Sequence, residues 1–201
     1  GEFFLWRSYD DWSDKAYLQS LVLALKTNPD ADLAVARLIK VRENDERDGG
    51  EEIEGGKYRV GDKQILDLLK RSHPGWMYGV FRRQVALDAI NRVVRDFPHV
   101  WAWDHLILFP VVSQGRVTAD YNACFYQRET GISDSRYRPR TAQEQTRLAA
   151  DFYKICLSAF RKQKAGLLLR LIMPFYLLKH TSRKTEKFSR ILRVWLGLKR
   201  M

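Results

Sequence analysis

The period of the apolar pattern changes repeatedly along this chain, and that alternation restricts the possible folds more than any other feature. Residues 3–6, Phe-Phe-Leu-Trp, form an apolar run that reads as a short buried strand entering the polar turn Ser8-Tyr9-Asp10-Asp11. From Asp14 the spacing of Tyr17, Leu18, Leu21, Val22 and Leu25 is helical, and Asn28-Pro29-Asp30 stops it, because proline has no amide to donate. Residues 32–41 are rich in Val, Leu and Ile and read as a strand. Residues 42–62 turn acidic and hold five glycines, which predicts a mobile surface loop.

Further on, residues 65–69 read as a short helix, His73-Pro74-Gly75 as a turn, 76–81 as a strand and 84–95 as a helix. Asp104 opens another helix that Gly115 terminates. Residues 116–121 and 123–128 read as two short strands, and everything from Thr141 is helical, broken at Gly166 and kinked at Pro174. Strands and helices in this order predict an α/β fold with a helical tail. The division falls at residues 1–140 and 141–201.

With 201 residues the chain has enough length for one well-packed domain. It opens Gly1-Glu2-Phe3-Phe4, without Met and already apolar, and so reads as a piece cut inside a larger protein. No signal-peptide pattern appears at its start, and no stretch reaches the roughly 18 apolar residues a spanning helix needs. Cys124 and Cys156 have no metal or redox spacing, and two reduced thiols suit a cytoplasmic protein.

The net charge of +11 is concentrated in one place. Residues 152–201 contain 13 Lys and Arg against the single acid Glu186, a net +12, which leaves −1 on the first 151 residues. Within that tail, residues 165–178 are apolar except Arg170, and 191–198 are apolar except Arg193. Such segments predict an interfacial helix pair on an anionic membrane surface, or a pair packed on its own domain with a solvated basic face.

Two places hold side chains suited to chemistry. Asp10-Asp11 follows a strand, where paired carboxylates can hold a divalent metal and, through it, a diphosphate. Asp104, within Trp101-Ala102-Trp103-Asp104-His105, is a candidate general base shielded by indoles that can stack on a ring. For both, a helix N-cap is the competing structural role. The chain has no glycine-rich phosphate loop, nucleophile elbow, His-Glu-x-x-His or zinc-spaced cysteine set.

Taken in order, these pieces resemble the family-2 glycosyltransferases of GT-A fold. The stretch from Gly1 to Trp12 looks like the family's strand running into its aspartate pair, and residues 17–35 like the helix, Asn-Pro turn and strand that follow. Tyr78-Gly79-Val80-Phe81-Arg82-Arg83 is similar to the segment under the acceptor site. Asp104 with Leu106-Ile107-Leu108, then Gln114-Gly115-Arg116-Val117 and Phe125-Tyr126-Gln127-Arg128, continues the series. The resemblance covers residues 1 to about 135 and rests on order and spacing, not on one motif.

It implies a partial GT-A-like mixed sheet whose base- and ribose-binding half precedes residue 1. It also implies transfer of a sugar from a nucleotide-sugar donor to a glycan or lipid-linked acceptor, inverting and dependent on Mg or Mn. In that scheme Asp11 ligates the metal, Asp10 and Asp11 contact the donor, and Asp104 deprotonates the acceptor. Trp76, Tyr78, Gly79 and Trp103 border the acceptor, and the enzyme is cytoplasmic or peripheral on the inner face of a membrane, with no nucleic-acid partner. The sequence pI of 9.8 keeps open a basic nucleic-acid-binding protein, and the tail a non-catalytic helical interaction module.

Overall fold

The computed structural model describes residues 1–42, 47–48, 62–128 and 137–197. The predicted loop at 42–62 therefore falls almost entirely outside the described residues.

The fold is α/β, with seven α-helices and a six-stranded mixed sheet among the described residues. In chain order they are β1 (Phe3–Leu5), β2 (Trp12–Ser13), α1 (Tyr17–Thr27), β3 (Leu33–Val41), β4 (Arg47–Asp48), α2 (Asp62–Arg71), β5 (Val80–Arg82), α3 (Arg83–Asp96), α4 (Trp103–Val112), β6 (Val117–Arg128), α5 (Ala142–Arg161), α6 (Leu167–Lys184) and α7 (Phe188–Trp195). The sheet order is β1-β5-β3-β6-β2, with β4 paired to the end of β3. β3 and β6 are parallel, and β5 runs against both β1 and β3. Hence β1, β3 and β6 share one direction.

Alternation along the strands sorts two cores. Leu33 and Val35 of β3, with Phe81 and Val117, face the larger core under α2 to α6. Ala34, Val80, Ala123 and Phe125 face the other way, against Tyr17, Leu21 and Leu25 of α1. The helical tail contributes to the larger core: Leu148, Phe152 and Cys156 of α5 and Leu169, Met173 and Leu177 of α6 are fully buried in it. Thr141 begins this part with a capping box, accepting from the Glu144 amide while the Glu144 carboxylate accepts from the Thr141 amide.

Local structure departs from the sequence reading in three places. Residues 74–78 form a 3-10 turn rather than the start of a strand, because Pro74 sits at its first position and the His73 ring nitrogen Nδ1 accepts from the Gly75 amide at 3.0 Å. Residues 117–128 are one strand, not two; its register against β3 shifts between Asp120 and Cys124, where Asp120 Oδ1 accepts from the Asn122 amide at 3.0 Å. The N-cap of α4 is Ala102, held at φ 70°, so Asp104 lies within the first turn instead of capping it.

At the amino end of β3 a buried ionic clamp joins three distant segments. Asp32 is 3% exposed and takes Arg116 through both oxygens, at 2.9 and 2.8 Å. Arg82 lies 4.0 Å from the same carboxylate and donates to the carbonyls of Ala31 and Leu25. The arginines of the Phe-Arg and Gly-Arg segments thus serve the scaffold.

Candidate active site

Asp10 and Asp11 stand in the turn after β1, beside the end of β6. The Arg128 amide donates to Asp11 Oδ1 at 2.9 Å, and the Ser8 hydroxyl donates to Asp10 Oδ1. The turn is held by aromatic packing: Trp12 stacks on Tyr126 with centroids 5.4 Å apart, and the Arg128 guanidinium lies 5.5 Å from the Trp12 ring. Asp14 fastens the following residues to β6, accepting from the Cys124 amide at 2.8 Å and the Tyr126 hydroxyl at 3.2 Å. The aspartate pair therefore occupies the carboxyl ends of strands sharing one direction, where α/β sheets place their ligands.

Burial holds the Asp11 carboxyl above the ordinary aspartate range, and the neighbouring charge of Asp10 adds to this. The Arg128 amide, Arg7 and Arg128 act in the opposite sense. Two carboxylates crowded in this way gain from a cation.

Asp104 stands in the first turn of α4. Its Oδ1 accepts from the His105 amide at 2.8 Å, and the positive end of the helix dipole also favours its charge. Burial still dominates and raises its pKa; the His105 amide, then His73 and Lys184, oppose that rise. His105 is driven down to about 3 by burial, with Lys184 and His73 adding to the shift, so it is a neutral ring. Its Nδ1 and the Trp103 Nε1 are buried without a hydrogen-bond partner among the described residues.

Tyr78 links the two groups. Its phenol is pushed above the ordinary value first by burial, then by the charges of Asp11, Asp10 and Asp104. All three carboxylates therefore act on one side chain at the end of the 3-10 turn. Beside it opens a cleft of about 240 Å³ lined by Trp6, Met77, Tyr78, Trp103, Asp104 and Gln127, among others. A second cavity, of about 610 Å³, lies at the C-terminal ends of α4 and α5; its lining holds Arg92, Lys162 and Lys164 but no carboxylate.

Of the residues singled out in the sequence, Asp104, Tyr78 and Trp103 line the cleft, and Asp10 and Asp11 sit within electrostatic reach of Tyr78. Trp76 does not line it: at 6% exposure it is part of the larger core. Gly79 is outside the lining as well, and permits the turn to press on β3. A Cβ there would meet the Ala34 carbonyl oxygen and lie 2.8 Å from Leu33 Cδ1.

Sequence reasoning missed Trp6 and Gln127 in the lining, and the Lys184 cation and the His73 ring as the groups acting on Asp104. Trp6 was detectable as the last residue of the strand that delivers the aspartates. Lys184, at the far end of the chain, carries no local signal.

Among the described residues no group of three His, Cys, Asp or Glu side chains is placed to hold a metal ion. The pair Asp10 and Asp11 fits the smaller demand of a Mg-type ion that takes one or two carboxylates and completes its shell with water and phosphate oxygens. Each aspartate gives one oxygen, Oδ1, to a local hydrogen bond. No protein-family model matches this chain, and no curated protein matches it either.

Proposed function

We propose that this chain belongs to a nucleotide-sugar-dependent glycosyltransferase of GT-A type, with the cleft beside Asp104 receiving the acceptor and the Asp10–Asp11 turn receiving the donor's diphosphate. The observation that carries the reading is that the turn after β1 with Asp10 and Asp11, and the first turn of α4 with Asp104, both act on Tyr78 beside a cleft that Trp6 and Gln127 also line. The ordered resemblance to family-2 transferases assigns these same carboxylates.

In this mechanism Asp104 accepts the proton of the acceptor hydroxyl as that oxygen attacks the anomeric carbon, and the nucleoside diphosphate leaves from the opposite face. Inversion follows from the single displacement. A raised carboxyl pKa brings the base nearer the working pH, which strengthens it as a proton acceptor. Trp6, Trp103 and Tyr78 present flat apolar faces to a sugar ring, and Gln127 a hydrogen-bonding amide. Asp11, supported by Asp10, would hold a divalent cation, and that ion would supply positive charge against the diphosphate. Arg7 and Arg128, which already act on Asp11, add positive charge at the same place.

The reading has the base- and ribose-binding half precede residue 1, in a cytoplasmic enzyme, so transfer is assayed on the product of the whole gene. Asp104→Asn keeps the side chain's shape and removes its basicity, so turnover falls on the order of 100- to 10,000-fold. Titration with nucleoside diphosphates and Mn is unchanged by this substitution, whereas Asp11→Ala loses the metal-dependent part of that binding. Near-normal transfer by Asp104→Asn sinks the assignment.

A further inference from the structure

We propose that the outer face of α6 and α7 docks on an anionic lipid bilayer, with Lys179, Arg183 and Lys187 gripping lipid phosphates. The proposal stands independently of the transferase reading.

The first observation is where apolar surface remains uncovered. Ten of the eighteen exposed large apolar side chains among the described residues lie between 167 and 196. On α6, Leu169, Met173, Leu177 and His180 are buried at helical spacing against the domain, while Leu168, Leu171, Phe175 and Leu178 face outward. Phe175 is 75% exposed. On α7, Phe188, Leu192, Trp195 and the following Leu196 form a second outward stripe. Exposed apolar patches of this kind mark an interaction site.

The second observation is charge. Lys179, Arg183 and Lys187 are exposed and available to complement an anionic surface, and Glu186, the one acid of residues 152–201, is turned inward. It is buried and bound by Arg138 at 2.9 Å and Arg190 at 3.1 Å, so the outward face presents no acid. The two observations meet at Leu178 and Phe188. These residues line both an apolar groove of about 420 Å³, with Ala149, Tyr153, Leu192 and Trp195, and a neighbouring cleft of about 500 Å³ holding Lys179, Arg183 and Lys187.

A phosphate in the cleft with a hydrocarbon chain along the groove satisfies both. Nucleic acid would match the cations and leave the leucines in water; an apolar protein partner would bury the leucines and leave the cations unmatched. No helix among the described residues is long and apolar enough to cross a membrane, so these helices lie in the interface.

The test is co-sedimentation of the full chain with phosphatidylcholine vesicles, alone and with about one third phosphatidylglycerol. Binding appears with the anionic vesicles and weakens as salt rises. A cation near such a surface contributes about fivefold in affinity, so Lys179→Ala/Arg183→Ala/Lys187→Ala weakens binding on the order of 100-fold and flattens its salt dependence. Phe175→Asp/Leu192→Asp changes only exposed side chains and removes binding at every salt concentration. Equal binding by that variant, or by the triple variant, overturns the proposal. So does a wild type that ignores both vesicles, whether it instead binds single-stranded nucleic acid or self-associates through this face.

Discussion

Gly79→Ala tests how the scaffold positions the cleft. Gly79 has φ −65° and ψ 175°, values open to any residue, so alanine brings no backbone strain. The difficulty is space. The new Cβ would collide with the Ala34 carbonyl oxygen, 2.8 Å from Leu33 Cδ1 and 3.1 Å from the Trp76 oxygen, where ordinary contact begins at 3.4 Å. Two of these neighbours are backbone oxygens, and the one on Ala34 belongs to a strand paired on both sides, so the 3-10 turn has to retreat by about half an ångström or more. Overpacking of this kind costs about 1–3 kcal/mol. For a chain of this size that lowers the melting temperature by about 2–10 °C. Tyr78, next in sequence, moves with the turn, and displacement near a reacting centre can cost on the order of 100-fold in turnover. Gly75→Ala supplies the control, because the new methyl's nearest neighbours are side-chain atoms, Leu38 Cδ2 at 2.6 Å and His73 Nδ1 at 3.0 Å, and not backbone oxygens. Thermal melts of both variants, with transfer rates in the complete protein, decide the matter. A Gly79→Ala protein that melts with wild type, or no less stable than Gly75→Ala, refutes the steric reasoning.

Asp32→Ala leaves Arg82 and Arg116 without their shared carboxylate. Breaking a buried pair costs about 3–5 kcal/mol, reduced to about 2–3 here because both guanidiniums reach solvent; urea unfolding with an unchanged midpoint contradicts it. His180, 2% exposed among Phe109, Phe152 and Tyr176, is lowered by burial to about 3, as is His105. The unfolded rings take up protons below 6.5 and the native rings do not until about 3. Stability contributed by the neutral rings is therefore complete above 6.5 and declines as pH falls toward 3, by up to about 1.4 kcal/mol per pH unit for each histidine. His180→Leu removes its share of that slope in pH-dependent denaturation, and an unaltered slope counts against it.

Much of the framework was legible because its signals are local. Asn28-Pro29 ends α1, the run at 33–41 is a strand, and the helical spacing that begins at Thr141 is α5. The 3-10 turn at 74–78 escaped because Trp76, Tyr78, Val80 and Phe81 imitate strand composition, while the His73 cap that decides the matter is a side-chain contact. The shift inside β6 depends on pairing with a distant strand. At the candidate site the carboxylates stood out by placement, at a strand end and a helix start. Their surroundings did not, since His73 comes to Asp104 from the 3-10 turn and Lys184 only after the tail has folded onto the domain. The same long-range packing separates buried Trp76 from cleft-lining Trp103, two indoles that look equivalent in sequence.

The parallel pairing of β3 with β6 governs when this chain can acquire its shape during synthesis. Residues 33–41 emerge early, yet the strand that lies beside them comprises residues 117–128. Until then β3 carries an open edge, the kind of surface that pairs with the wrong chain. The interval is long in sequence, so closure is slow compared with the formation of the helices on either side. Even then the layer of α2, α3 and α4 over the larger face lacks its outer cover until α5 and α6 supply Leu148, Phe152, Met173 and Leu177. Folding is thus completed from the C-terminal end, and a nascent chain halted before those helices holds a finished sheet whose α2–α4 layer still lacks its apolar cover, a natural client for chaperones.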